Sequence, residues 1–392
     1  MLEPYDGKLS STVLRGERGS NASDLPDTHV VLVDTGNSYQ GLCRMIHDRT
    51  HGEDGIYITY EEDNPIAFNP FYTDSGQFDV EKRESIKTLI LTLWKREDEA
   101  PKRSEEVALS GAVNAYIRRI TDDRASRPDF NGFYEFVRDD YRRMIEQKKV
   151  REKDFDIDGF LNVLEPFYRG GDYDFLLNSD KELDLTNKRF IVFELDNISS
   201  NKVLLPVVTL IIMETFISKM RKLRGIRKMI LIEECWKALM SANMSEYIKY
   251  LFKTVRKYFG EAVVVTQEVD DIISSDIVKE AIINNSDCKI LLDQRKYMNK
   301  FEHIQKLLGL TEKERGQILS INRAVWIGLG GTHSAVYATE VSAEEYAVYT
   351  TEESEKLELH ELTRELGGNL ELAVRRLAER QREEQKQVST PK

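Results

Sequence analysis

The stretch Arg227–Leu239, RKMILIEECWKAL, decides the fold. Lys228–Ile232 is a short apolar run that ends in two carboxylates, Glu233 and Glu234. A run that is apolar at consecutive positions suits a strand covered on both faces, the environment of a parallel sheet. Ligands of open parallel sheets sit beyond the carboxyl ends of the strands, so the two acids are expected at such a place. In phosphoryl-transfer sites one acid contacts Mg2+, often through water, and the next orients the attacking water. Glu233 and Glu234 fit those roles in that order. The spacing alone is a weak signal, because an apolar run before two acids arises readily by chance.

Four more segments read as covered strands: His29–Asp34 (HVVLVD), Ile56–Tyr60 (IYITY), Arg189–Leu195 (RFIVFEL) and Glu261–Gln267 (EAVVVTQ). Lys289–Asp293 (KILLD) is expected to be a sixth. Helical patterns separate most of them. Ile248, Leu251, Phe252, Val255 and Phe259 share one face of a helix expected to end at Gly260, with Arg256 and Lys257 in its last turn. This alternation predicts an α/β fold, a mostly parallel sheet with helices on both faces. If the strands that end at Glu233 and Gln267 are neighbours, the Gln267 amide lies beside the acids, where it can hold a water or sense a terminal phosphate. The bland alternative for Gln267 is a turn cap at the strand end. Arg256, Arg295 and Lys296 are the cationic candidates for neutralising transition-state charge across a subunit boundary, although most such arginines are plain surface residues.

The 392 residues, 41% of them hydrophobic, suffice for a sizeable core. A net charge of −12 disfavours nonspecific DNA binding, so nucleic acid would need a local basic patch. Cys43, Cys235 and Cys288 lack the spacing of a disulfide framework or zinc site, which suits a reducing cytoplasm. The most apolar window, Val203–Met213, is too short for a bilayer and predicts a buried helix starting near Pro206. Residues 1–27 read as a poorly ordered segment. Residues 28–78 and 188–341 read as two parts of one α/β domain, interrupted by an all-helical insertion over 79–187. Gly330-Gly331-Thr332-His333 signals a hairpin between Ala324–Leu329 and Ser334–Glu340. Residues 342–392 read as helices followed by a solvated tail from about Arg380.

A phosphate loop needs Gly-x-x-x-x-Gly-Lys-Ser/Thr between a strand and a helix, so that backbone N–H groups and the lysine surround the phosphates. The chain has a single Gly-Lys, Gly7-Lys8, with Leu2 in place of the first glycine and Leu9 in place of the hydroxyl residue. The acids are present without the cradle. Since the cradle supplies most of the binding energy, this chain is expected to bind ATP poorly and to be catalytically inactive.

Taken together, VVLVDTGNSYQGL, AFNPF at Ala67–Phe71, FIVFEL, ILIEECWKAL, YLFKTVRKYFGEAVVVTQEVDDI, NNSDCKILLDQRKYMNKF and VWIGLGGTHSAVYATEV resemble the C-terminal ATPase region of TraG-type conjugation proteins. These are type IV secretion motors of the HerA and FtsK group of P-loop ATPases. The resemblance runs from about His29 to about Gly368. It implies a RecA-like sheet, ATP and Mg2+ as cofactors, Glu233 and Glu234 as the Walker B pair with Glu233 on the metal, and Gln267 as the sensor. It implies a homo-oligomer, hexameric in the family, that is cytoplasmic and peripheral to the inner membrane. The implied partners are type IV secretion components and, indirectly, a DNA or relaxase substrate. The strand, phosphate loop and helix expected before His29 are replaced by residues 1–27, as in a truncated or rearranged form. A non-catalytic assembly partner of the motor is therefore the alternative function.

Two rivals are weaker. Val33-Asp34-Thr35-Gly36 matches the aspartic-protease pattern, with Asp74-Ser75-Gly76 as an imaginable mate, but that chemistry belongs to an all-β fold. A DNA motor of the coupling-protein kind is expected to carry transmembrane helices, and none is predicted.

Overall fold

A computed structural model describes residues 28–61, 66–73, 76–96, 99–122, 128–179, 185–233, 242–266, 282–322 and 324–389. Its centre is a five-stranded sheet in the order β2-β3-β1-β4-β5. The strands are β1 (His29–Asp34), β2 (Ile56–Thr59), β3 (Phe190–Glu194), β4 (Lys228–Ile232) and β5 (Gly260–Val264), and every pairing is parallel. The continuous apolar runs thus take the arrangement in which both faces need cover.

Alternate residues of each strand face opposite sides, and both sides are packed. On one side Val31, Val33, Ile191, Phe193, Ile230 and Ile232 join a core with α7 (Leu204–Lys222), α8 (Ala242–Thr254) and the helical region described below. On the other, Val30, Leu32, Phe190 and Val192 meet α1 (Gln40–Arg49) and three C-terminal helices: α11 (Ala343–Tyr349), α12 (Glu353–Glu365) and α13 (Leu370–Ser389). Each such side chain contributes about 1.5–3 kcal/mol relative to exposure. The α7 helix begins where predicted, with the Asn201 side-chain oxygen accepting from the N–H groups of Val203 and Leu204 at 2.9 Å. Among the described residues no helix is long and apolar enough to cross a membrane.

Between β2 and β3 the described elements are helices: α2 (Val80–Trp94), α3 (Arg103–Asp122), α4 (Phe130–Phe136), α5 (Arg142–Gln147) and α6 (Ile157–Leu164). Their core is aromatic. Phe71 contacts Tyr116 edge-on at 4.9 Å and stacks on Phe133 at 5.4 Å. A π-helical turn, Val137–Tyr141, joins α4 to α5 and delivers the Tyr141 hydroxyl to the Ala108 carbonyl at 2.7 Å. The opposing residue is Gly111, where an added Cβ would lie 2.6 Å from that hydroxyl oxygen.

Several expectations change. The predicted sixth strand is β6 (Cys288–Leu291), and it leaves the parallel sheet for a separate antiparallel one, order β6-β7-β8, with β7 (Ala324–Leu329) and β8 (His333–Ala338). The Gly330-Gly331 turn closes the β7–β8 hairpin as predicted, with both glycines at positive φ. Its partner β7 pairs backwards with β6, so the apolar run KILLD reads like a parallel strand without being one. One face of this small sheet packs Trp326 on Phe301 and Ile304 of α9 (Phe301–Leu308) and Ile318 of α10 (Glu312–Leu319).

The helix before β5 also ends earlier than expected. After α8 the chain tightens into a 3-10 turn, Val255–Tyr258, and Phe259 takes a left-handed conformation with φ 56°. Ile248, Leu251, Phe252 and Val255 are buried as predicted, whereas Phe259 swings off their face and is 51% exposed. Residues from Arg380 to Ser389 are not a detached tail: α13 continues through them, and Arg380 and Arg382 pair with Glu358 and Glu344. The description of residues 1–27 as poorly ordered concerns a segment outside the described residues.

Candidate active site at the carboxyl edge of the sheet

Parallel strands place all their carboxyl ends on one edge. In register there, Asp34 of β1 lies beside Glu194 of β3, and the Glu233 N–H bonds the Val33 carbonyl at 2.9 Å, one rung past the end of β4. Three carboxyl groups therefore line the edge across three adjacent strands. Asp34 and Glu194 are buried.

Each is held by the chain itself. The Asp34 carboxylate accepts from the N–H groups of Thr35 at 2.9 Å and Ser38 at 2.6 Å. Glu194 accepts from Asn37 N–H at 2.7 Å and Asp196 N–H at 2.9 Å. Burial pushes the Glu194 carboxyl above the usual range, and the neighbouring Asp34 charge pushes the same way against the Asp196 N–H bond. Asn37 has φ 54°, and its side-chain oxygen accepts from the Tyr57 hydroxyl at 2.9 Å. The β1–α1 connection thus has the strand–turn–helix layout of a phosphate loop, but its inward N–H groups are taken by two carboxylates. An anion there would have to displace them.

Glu233 differs. It is half-buried, and the Tyr39 hydroxyl donates to its Oε1 at 2.5 Å. Burial, then this bond, holds the Tyr39 hydroxyl protonated far above the ordinary tyrosine range. Tyr39 sits at the start of α1, so the first helix of the fold fixes the rotamer of the acid at the end of β4. Among the described residues no group of three or more His, Cys, Asp or Glu side chains is placed to share a metal ion.

The order β4-β5 makes the strands bearing Glu233 and Thr266 neighbours, and the Val265 N–H bonds the Ile232 carbonyl at 2.9 Å. Glu234 and Gln267 lie outside the described residues. Arg256 sits in the turn before β5, at the opposite edge from Glu233, separated by the length of that strand, about 16 Å. It makes an exposed 3.5 Å contact with Asp287. Arg295 and Lys296 lie in a 3-10 turn after β6, and Arg295 pairs with its neighbour Asp293, whose carboxyl it lowers to about 2. Neither arginine meets Glu233 within one chain. Both are exposed, and solvent-screened surface pairs of this kind hold them only weakly.

Asp34, Glu194, Tyr39 and Tyr57 were not singled out from sequence as parts of this edge. A usable signal exists: HVVLVD and FIVFE are apolar runs that end in an acid, as ILIEE does. In the sequence Asp34 stands out only through its protease-like pattern. Its carboxyl neighbour is Glu194 on a parallel strand, in an α/β sheet rather than the all-β setting that chemistry requires, while Asp74 and Ser75 lie outside the described residues.

A family model described as the TraG P-loop domain matches residues 23–381. No curated protein matches the chain. Among solved structures, VirB4 of Thermoanaerobacter pseudethanolicus is similar in fold, with a TM-score of 0.59 and 20% identity, covering 81% of this chain and 83% of that one. The plasmid coupling protein TrwB, solved in complex with ADP and Mg2+, has a TM-score of 0.49 and 10% identity, covering 84% of this chain and 91% of that one.

Proposed function

Because the chain belongs to the TraG P-loop domain family, the ATPase domain of conjugative transfer, we propose that the carboxyl edge of its five-stranded sheet is the nucleotide-facing side. The observation that carries this reading is Glu233, fixed on the last rung between β1 and β4 and held by Tyr39. Glu233 would reach Mg2+, Glu234 would orient the attacking water, and Gln267 would sense the terminal phosphate. Bound Mg2+ would offset charge on the phosphates. Arg256, at the other end of β5 in its own chain, and the exposed Arg295 suit delivery to a neighbouring subunit of a homo-oligomer, hexameric as the family resemblance implies. In this reading the assembly works from the cytoplasmic side of the inner membrane with type IV secretion components, on a DNA or relaxase substrate.

The filled β1–α1 loop favours a restriction on that role. Its N–H groups are engaged by Asp34 and Glu194, and the sequence has no Gly-x-x-x-x-Gly-Lys-Ser/Thr, so the β1–α1 loop among the described residues would not serve as a cradle for the phosphates. Its function would then be that of a non-catalytic assembly partner. Calorimetric titration with Mg-ATP is expected to give no saturable binding tighter than about 1 mM, weaker than ~4 kcal/mol. Micromolar binding, or steady turnover that Glu234→Gln abolishes, would overturn the restriction and leave a working motor.

A further inference from the structure

The opposite, amino edge of the same sheet holds a cleft of about 790 Å³, lined among others by His29, Glu53, Lys188, Arg189, Arg227 and Phe259. Its volume is that of a small-molecule site. Its charge is opposite to that of the chain as a whole. Lys188, Arg189 and Arg227 line it, and the fully buried Lys219 and Lys228 lie behind it, against two carboxylates, Glu53 and Asp54. Asp54 is already paired with Arg189 at 2.7 Å.

The buried lysines bond to carbonyls. Lys228 Nζ donates to the Tyr258 carbonyl at 2.7 Å. Lys219 Nζ reaches the carbonyls of Lys188 at 2.6 Å and Thr186 at 2.9 Å, and His29 Nδ1 at 3.2 Å. His29 Nδ1 also lies 3.2 Å from the Lys188 carbonyl, so Lys219, that carbonyl and the ring share one polar network. His29 is 5% exposed and lines the cleft.

At the rim stands Phe259. A bulky residue with φ 56° is held against its own preference, and a solvent-exposed ring gains little there from burial. The Arg227 guanidinium lies 5.4 Å from the ring centroid on one side. An aromatic platform backed by a guanidinium, above a cationic cleft, is the arrangement that takes a base on its face and a phosphate beside it.

We propose that this amino-edge cleft binds a nucleotide unit, with its base stacked on Phe259 and its phosphate met by Arg227. The unit comes either from a single-stranded nucleic acid or from a free nucleotide, and both present the same chemistry. The site is separate from the Glu233 edge, since it lies at the other end of the strands.

The full chain is titrated at low salt with a fluorescein-labelled oligothymidylate of about ten residues, comparable to the reach of one small single-strand-binding module, and separately with a fluorescent AMP derivative. Phe259→Gly removes the platform while relieving the positive φ, so the fold is kept. Binding of at least one probe is expected to weaken on the order of tenfold with Phe259→Gly and with Arg227→Gln, and to be unchanged by Glu233→Gln. Oligothymidylate binding that also falls steeply with salt identifies a strand as the source, and binding of the AMP probe alone identifies a free nucleotide. Failure of both probes to bind, binding indifferent to both cleft variants, or binding lost with Glu233→Gln overturns the proposal.

Discussion

Replacing Gly55 with alanine is expected to destabilise the protein by more than about 3 kcal/mol, enough to leave little folded chain at 37 °C. Gly55 has φ 74° and closes the turn between α1 and β2. A Cβ there would lie 2.4 Å from the His47 nitrogen and 2.5 Å from the Cys43 carbonyl oxygen, both main-chain atoms of α1. Backbone cannot yield as a flexible side-chain end does, so α1 must lift from the strand. The displacement would carry Asp54 away from Arg189, whose N–H and Nε both bond its carboxylate, and would shift Tyr39 at the other end of the helix. Thermal unfolding followed by circular dichroism is the check. An unfolding midpoint within a few degrees of the parent would show that the turn is softer than its geometry. Gly76 is the control: it also has positive φ, 65°, but no atom within 4 Å of an added Cβ, so alanine there costs only the conformational penalty of about 1 kcal/mol.

Acid is expected to remove on the order of 3 kcal/mol through His29 alone. Burial, and next the Lys219 ammonium, hold its imidazole down to about 4 from the usual 6.5, while the Lys188 carbonyl and the Asp54 charge pull the other way and Arg189 lowers it slightly. A histidine whose folded value is depressed stabilises the fold as the neutral form. That contribution is complete above pH 6.5, falls as the unfolded chain gains a proton the folded chain refuses, and is gone below pH 4. Urea midpoints measured from pH 8 to pH 4 should therefore drop fastest between 6.5 and 4. His29→Asn keeps an acceptor for Lys219 without a titrating ring, so its midpoints should fall less over that window. Parallel curves for the two proteins would remove His29 as the cause.

Much of this fold was legible because parallel strands announce themselves as unbroken apolar runs. HVVLVD, IYIT, FIVFE and KMILI lie in one sheet, and the alternating residues within each serve two different cores. KILLD defeated the same rule on both counts: it pairs antiparallel, and Ile290 and Leu292 are more than half exposed rather than covered. Phe259 was misplaced because periodicity carries no warning that the last turn of a helix tightens and then reverses its φ. At the carboxyl edge Glu233 could be found from its place after a strand. Tyr39 could not be joined to it, since their contact is made by residues far apart in sequence: 194 positions separate Tyr39 from Glu233. The amino-edge cleft left no motif at all, being assembled from strand beginnings and turn residues of five segments.

The C-terminal helices have a consequence for how the chain is made. Val30, Leu32, Phe190 and Val192 are sealed on one side by α1 with residues such as Val348, Leu362, Ala373 and Leu377, and Gly41 of α1 lies so close to α11 that a Cβ would sit 2.6 Å from the Val348 carbonyl oxygen. The sheet's first strand leaves the ribosome more than three hundred residues ahead of the segment that roofs it. Until residues 343–389 have been made, only α1 covers that flank of the sheet, so its apolar face stays partly wet and open to chaperones or to mispairing.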